Sequence, residues 1–381
     1  MDRDALIAVV EDFDPTVPIE RAHTPPASWY LEPGLLELER DTVFSDNWIA
    51  VGRAAQVAQP GEYLAGSSLK RPWVVVRHTD GSLRAFHNAC RHHAAVVLEG
   101  SGCVEALTCP YHGWTYSLDG SLKAAPRMAG VENFDRETMG LRPLAVDTWN
   151  DYVFVHFGEP RPLLNDLALL DERMAAAGPA RLHHAITRSY TVRCNWKVFV
   201  DNYLDGGYHV SRVHADLASS LDLDSYGTVL YDRFSVQGCG AKGGRLGGAA
   251  IYAWAHPNLM LNRYGPVLDV NRVVPISVDE TLVVFDFFFE ERLDDRERFI
   301  EACIESSEKV QQEDIAVSER VQAGLHSPGY DRGRYAPGIE HGEHHFHRLL
   351  AGELRAGLAP ADGGRRRLGF RRAGRSEARR G

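Results

Sequence analysis

The stretch Cys90–Tyr116, CRHHAAVVLEGSGCVEALTCPYHGWTY, decides how the chain is read. It carries Cys90-x-His92, then sixteen residues, then Cys109-x-x-His112. Thiols and imidazoles at the rims of two short loops are metal ligands by type. Zinc fingers set a cysteine pair before a histidine pair. Here each loop supplies one of each. That mixed order suits two unlike irons, one held by Cys90 and Cys109, the other by His92 and His112. Imidazoles in place of two thiolates raise the potential of such a centre, which suits an electron relay. The flank PYHGWTYSLDG adds aromatic cover and a turn that shield the site. Zinc is the competing metal, and His93 is the competitor to His92.

The surroundings read as strands. Over residues 46–160, WIAVGRAAQV, YLAGSSL, PWVVVRHTDGSLRAFHNAC and DYVFVHF run or alternate apolar between turn residues. Asp80-Gly81 and Asp119-Gly120 predict tight hairpins. The Cys/His stretch therefore lies inside a small all-β unit. Beyond it, 190–350 mixes helix and strand. CNWKVFVDNYLDGGYHVSRVH reads as helical, TLVVFDFFFEER as a long strand, and DRERFIEACIESSEKVQQEDIAVSERVQAGL as a long amphipathic helix. No internal repeat is visible.

The bulk figures set bounds on this. A chain of 381 residues with 44% apolar and 25% charged residues suits a soluble protein with room for two domains. No apolar run is long enough to cross a bilayer, so no membrane association is expected. MDRDALIAVVEDFDP lacks a signal-peptide layout, and the expected compartment is the cytoplasm. Six cysteines are too few and scattered for a disulfide framework. The net charge of −10 divides unevenly: residues 351–381 carry nine arginines against three acids, leaving −16 on the rest. The acidic body argues against a nucleic-acid partner. The Gly/Arg-rich segment 351–381 is expected to be a disordered tail.

A relay needs a destination, and DNYLDGGYHVSRVH, residues 201–214, offers one. His209 and His214 do not share a face of a regular helix, so the HExxH zinc arrangement is excluded. They converge only if the helix ends or bulges between them. Asn202, Asp205 and His209 stand at i, i+3 and i+7 on one helical face, and Asp205 can fix the His209 tautomer. Non-haem iron(II) oxygenases use two histidines and one carboxylate. On the long helix Asp314 falls on a stripe formed by Val310, Val317 and Val321, where an unpaired acid is rare. Glu313 beside it points elsewhere and is the weaker candidate. A buried salt bridge is the other reading of Asp314.

The stretches CPYHGWTYSLDGSL, CNWKVFVDNYLDGGYHV, NRYGP, VQQEDIAVSERVQAGL and GRYAPGIEHGEHHFH resemble the α subunits of Rieske non-haem iron oxygenases. Within them the chain is most similar to the choline monooxygenase branch, over roughly residues 25–350. The resemblance implies an α+β fold: an all-β Rieske 2Fe-2S domain (46–160) with a helix-grip, START-like catalytic domain (161–350) built on an antiparallel sheet. Residues 1–45 would pack on the catalytic domain. It implies Cys90, His92, Cys109 and His112 as cluster ligands, and His209, His214 and Asp314 as ligands of one mononuclear Fe(II). Asp205, with Asn202 near it, would serve catalysis. In many ring-hydroxylating relatives the acid linking one subunit's cluster to the next subunit's iron falls where Gly206 stands. In the choline branch it falls at Asp205.

Such a subunit, usually a homotrimer, draws electrons from NAD(P)H through a flavin reductase, or a reductase plus ferredoxin. The only GxGxxG here, Gly238 to Gly243, is followed by more glycine rather than a helix pattern and is no dinucleotide fingerprint. The implied reaction is C–H hydroxylation of a small substrate with O2. A quaternary ammonium or amine is the first expectation. An aromatic ring or a natural product under tailoring is the alternative, and an electron carrier without catalysis comes third. Tyr203, Tyr252, Trp254, Tyr264, Phe285 and Phe287 are candidate pocket walls.

Overall fold

Two seven-stranded sheets organise the chain in this computed structural model. It describes residues 2–175, 181–241, 250–291, 293 and 295–359. The first sheet runs Ile49–Arg53, Tyr152–His156, Pro143–Trp149, Leu83–His87, Arg71–Arg77, Glu62–Ser68, Ser101–Cys103. Every pairing in it is antiparallel. A three-stranded sheet of Leu107–Thr108, Thr115–Tyr116 and Leu122–Ala124 stands beside it.

Both expected Asp-Gly turns form. Gly81 at φ 82° lets Arg71–Arg77 fold back on Leu83–His87. Gly120 at φ 84° closes the second, where an added Cβ would lie 2.3 Å from the Phe86 ring. That close approach requires glycine twice over, by conformation and by space.

The second sheet runs Leu182–Val192, Glu280–Glu290, Val267–Ser277, Leu259–Tyr264, Ala250–Ala255, Phe234–Ala241, Leu221–Leu230, again all antiparallel. Helices Trp196–Leu204 and Arg296–Leu325, the latter called the long helix below, pack against this sheet. Its inward rows carry Phe285, Phe287 and Phe289, all buried. The start of Trp196–Leu204 is fixed to the N-terminal segment. Lys197 Nζ lies 2.6 Å from Glu39 Oε1, and Trp196 Nε1 donates to Glu39 Oε2 at 2.7 Å. Both charges are buried, so either one alone would be strongly destabilising. Gly238 and Gly240 lie in strand Phe234–Ala241, while Gly243 falls outside the described residues.

The expected tail boundary at 351 is corrected. Helix His341–Leu358 runs through it, with Leu350, Ala351 and Leu354 fully buried. Glu353 accepts from Asn47 Nδ2 at 3.0 Å and Arg233 Nη2 at 2.6 Å, and lies 2.9 Å from His256 Nε2. Burial pushes its carboxyl up, but His256 and Arg233 outweigh that and hold it down at about 2. The apolar spacing of Leu350, Ala351 and Leu354 outweighs the arginine count that suggested a tail. The rest of that expectation, residues 360–381, lies outside the described residues.

Candidate metal centres

The Cys90 and Cys109 loops are closed by the same pair of backbone bonds. Ala94 N donates to Cys90 O at 2.9 Å and Cys90 N to Ala95 O at 2.8 Å. Gly113 N donates to Cys109 O at 3.1 Å and Cys109 N to Trp114 O at 2.8 Å. The fifth residue of each turn has positive φ, 60° at Ala94 and 71° at Gly113. Each turn buries its thiol and leaves its histidine outward. Cys90 and Cys109 are 4% and 2% exposed, and burial pushes the Cys109 thiol up with Cys90 beside it.

His92 Nδ1 lies 3.1 Å from His112 Nδ1, which brings one histidine of each loop together. His92 also stacks on Trp114 at 4.9 Å and 6°. Tyr116 caps the inner end, its hydroxyl 3.2 Å from Cys90 Sγ and accepting from Arg91 N at 2.9 Å. His93 belongs to the ring cluster, 5.6 Å from the His112 ring centroid against 4.7 Å for His92. Two buried thiols below two paired imidazoles are a donor set that fits a 2Fe-2S cluster with unlike irons.

The second centre differs from expectation in how it is built. CNWKVFVDNYLDGGYHVSRVH is not one helix: it breaks into Trp196–Leu204 and the single turn Val210–Val213. Gly206 and Gly207, at φ 73° and 79°, make the break. Asp205 therefore does not share a continuous helical face with Asn202 and His209. It caps the first helix and ties down the turn. Its Oδ1 accepts from Gly207 N at 2.8 Å and Tyr208 N at 3.1 Å, and its Oδ2 from His209 N at 3.0 Å. The same Oδ2 lies 2.6 Å from His209 Nδ1.

The break also brings the histidines together. His209 Nε2 lies 3.2 Å from His214 Nε2, and Asp314 Oδ1 lies 3.0 Å from His214 Nε2 and 3.6 Å from His209 Nε2. Asn202 Nδ2 donates to Asp314 Oδ1 at 2.8 Å. One ligand atom from each of His209, His214 and Asp314 lies within 4.8 Å of the others. Two imidazoles and one carboxylate converging this way fit a non-haem iron(II) site.

Glu313, the weaker candidate for third ligand, is expected to point elsewhere, and that direction is corrected. Its Oε2 lies 2.7 Å from His214 Nδ1. Each histidine thus has a carboxylate on Nδ1 and its Nε2 turned to Asp314. Burial pushes the His214 pKa down, but Asp314 and Glu313 outweigh it and the net shift is upward. The stripe used to find Asp314 is also corrected. Val321 is 46% exposed; the buried face of the long helix is Cys303, Gln311, Ser318, Gln322 and Leu325, and Asp314 lies beside that face.

A cavity of about 190 Å³ opens onto all three groups. Tyr203, Tyr226, Tyr252, Tyr264 and Phe285 wall it. Trp254 and Phe287 do not; both are buried in the core, Trp254 against Phe346. Another convergent group, Asp201, Glu343 and His347, is engaged by tyrosines. Tyr30 donates to Asp201 Oδ2 at 2.7 Å, and the Tyr335 hydroxyl lies 2.7 Å from His347 Nδ1.

Comparison with known proteins agrees with both centres. Residues 47–135 match the Rieske [2Fe-2S] domain family, and 179–248 with 244–355 match the ring hydroxylating alpha subunit (catalytic domain) family. Choline monooxygenase of Arabidopsis thaliana is 43% identical over 91% of this chain and 86% of its own. The chain belongs to the Rieske non-haem iron oxygenases. Carnitine monooxygenase oxygenase subunit of Escherichia coli K12 is 32% identical over 87% and 94%. A solved quaternary ammonium Rieske monooxygenase with L-carnitine superposes at TM-score 0.76, 31% identity, covering 90% of this chain and 98% of that one. Naphthalene 1,2-dioxygenase from Rhodococcus shares the fold at TM-score 0.75 but only 18% identity.

As a Rieske oxygenase α subunit the chain is an oxidoreductase that uses O2, with a 2Fe-2S cluster and a mononuclear iron. Its fold is the expected α+β arrangement with antiparallel sheets. Among the described residues no helix is long and apolar enough to cross a membrane.

Proposed function

We propose that this Rieske oxygenase hydroxylates a C–H bond of a small quaternary ammonium or amine of the choline type. The observation that carries the reading is a tyrosine-walled cavity opening onto His209, His214 and Asp314, in a chain 43% identical to a choline monooxygenase. Phenol faces attract a quaternary ammonium group by cation–π interaction. A ring-hydroxylating reading rests on naphthalene 1,2-dioxygenase, whose likeness extends to the fold alone. A carrier without catalysis would have no use for this second centre.

His209, His214 and Asp314 would hold the iron, and Cys90, His92, Cys109 and His112 would hold the cluster. When bound, the iron activates O2 and the cluster supplies single electrons. The protein's part is positional. Asp205 and Glu313 hold the Nδ1 positions of the two histidines, which leaves each Nε2 lone pair for the metal. Asn202 fixes the Asp314 carboxylate. The tyrosine wall keeps bulk water from the reacting carbon. One oxygen of O2 enters the C–H bond and the other leaves as water, with two electrons and two protons supplied from outside the chain. On an alcohol carbon the product is an aldehyde hydrate.

The working unit is a homotrimer in the cytoplasm, in which Asp205 links one subunit's cluster to the next subunit's iron. A structure of a related quaternary ammonium monooxygenase is described in terms of inter-subunit electron transfer, which supports this arrangement. A flavin reductase, or reductase plus ferredoxin, delivers electrons from NAD(P)H. Residues 46–160 form the Rieske domain and 161 to the end of the last helix the catalytic domain, with 1–45 packed on it. The test is O2 uptake by holoenzyme with reductase, offered choline, L-carnitine and naphthalene. Uptake matched by choline-derived aldehyde is expected; uptake coupled to naphthalene product alone overturns the reading.

A further inference from the structure

Asp269, on the strand Val267–Ser277, lines the same cavity and is only 3% exposed. Its Oδ1 accepts from Asn262 Nδ2 at 2.6 Å and its Oδ2 from the Tyr264 hydroxyl at 3.0 Å, and Asn271 adds a third neutral donor. Among the described residues lining the cavity there is no lysine or arginine. Burial pushes the Asp269 carboxyl up to about 6, and the neutral donors pull it only part of the way back. A carboxylate stripped of water and given no positive partner is a costly thing to keep in a core.

Two more residues that line this cavity, Asn271 and Gln311, each carry one polar atom without a partner. Asn271 Oδ1 and Gln311 Nε2 are buried without a hydrogen bond, and both residues are 3% exposed. One is an acceptor and the other a donor, so a hydroxyl could satisfy both. A buried polar group without a partner needs an explanation, and a polar group of a ligand in the cavity that both residues line is one.

We propose that Asp269 is the counter-charge that selects a cationic substrate, with the cationic head seated against Asp269, Tyr252 and Tyr264 and a polar group of the same molecule taken up by Asn271 and Gln311. This deepens the quaternary-ammonium reading and rests on it. The aromatic wall alone would bind a cation and a neutral alkyl group of equal size with modest discrimination. A desolvated carboxylate adds a large penalty for the neutral group, because it then stays buried and unpaired. Cys303, His209, His214 and Asp314 line the same cavity, and the groups that feel the charge of Asp269 directly are four phenols: Tyr190, Tyr203, Tyr252 and Tyr264. All four are shifted upward by burial and stay neutral near pH 6.

The probes are choline and its uncharged isostere 3,3-dimethylbutan-1-ol, titrated into anaerobic holoenzyme by calorimetry. Wild-type protein should prefer choline strongly. Asp269→Asn keeps the size and most donors of the site; it should weaken choline about 30-fold or more and leave the isostere nearly unchanged. A second measurement needs no variant. At pH 6, choline binding should release about half a proton, seen by comparing buffers of different ionisation enthalpy, and the isostere should release none. Choline binding with an unchanged preference in Asp269→Asn, or with proton release equal to that of the isostere, overturns the role of Asp269 alone. Failure of choline to bind the wild type, with the isostere bound or not, overturns the quaternary-ammonium reading instead.

Discussion

The Rieske-side loops and the iron-side triad solve one problem in opposite ways. Both bring histidines from separate turns within about hydrogen-bond range, 3.1 Å at His92–His112 and 3.2 Å at His209–His214. The Rieske loops do so with two near-identical backbone turns that bury sulfur and expose imidazole. Their histidines touch each other through Nδ1. The triad has no such repeat. It breaks a helix at two glycines and then fixes each ring with a carboxylate on Nδ1. The first centre is specified by backbone and can be exposed; the second is specified by side-chain hydrogen bonds and needs burial to keep them strong.

That contrast predicts independence, and the largest effects test it. Asp314→Ala should lose the mononuclear iron and cut turnover by at least about 100-fold, the upper end of what losing even an outer partner costs. Its Rieske absorbance should stay; a loss of both centres would show that they fold as one. Conversely, His92→Ala should abolish the Rieske absorbance while iron still binds at the triad. Should His93→Ala do this in place of His92→Ala, the pairing across the two loops is misassigned.

Asp205→Asn probes the link between the centres. The cluster should stay full, since Asn can keep the cap on Gly207 and Tyr208, and iron binding should weaken no more than about 10- to 100-fold through the His209 tautomer, so the variant is assayed loaded with iron. Reoxidation of a prereduced cluster, followed by stopped-flow with substrate bound, should slow severely. Normal reoxidation would take Asp205 out of the path, and loss of iron would make it a structural support only. Glu313→Gln should have a smaller effect, weakening iron binding about 10- to 100-fold through the His214 tautomer. Equilibrium competition with a chelator would measure it.

The smallest effect is a pH dependence of the iron-free protein. His214 has its pKa raised in the folded state by Asp314 and Glu313. The stability it contributes is present below the ordinary histidine pKa and fades as pH rises through the folded value. Thermal unfolding of apo protein across pH 5 to 8 should show this fall, and Glu313→Gln should flatten it. Iron binding must displace the same proton, so loading weakens as pH drops.

How far the sequence could be read follows from the same contrast. The Rieske loops were legible because their ligands lie within one short stretch and the flanking strands and Asp-Gly turns are local signals. The triad's residues were found, but by partly wrong geometry. A helical period carried through Asp205 missed that Gly206 and Gly207 end the helix, though two adjacent glycines after Asp are a stop signal. Glu313 was set aside because neighbours on a helix diverge by about 100°. His214 sits between it and Asp314, and an imidazole has a nitrogen on each side. Asp269 carried no local signal beyond being an acid at an inward position of a strand. Its meaning depends on Asn262 and Tyr264, which belong to the neighbouring strand.

Gly206 brings a consequence of its own. A Cβ there would lie 2.3 Å from the carbonyl oxygen of Ile339, and one on Gly207 would meet the Tyr226 ring at 2.9 Å. A side chain at Gly206 must displace the Ile339 backbone or the turn that leads to His209, and the positive φ of both glycines strains any other residue there. In a saturation scan scored only by activity, Gly206 should look as intolerant as His209 itself, and a reader of that scan alone would count it among the ligands. Scoring the same library by metal content and by soluble yield would separate an atom that binds the metal from a bare backbone position that merely leaves room for one.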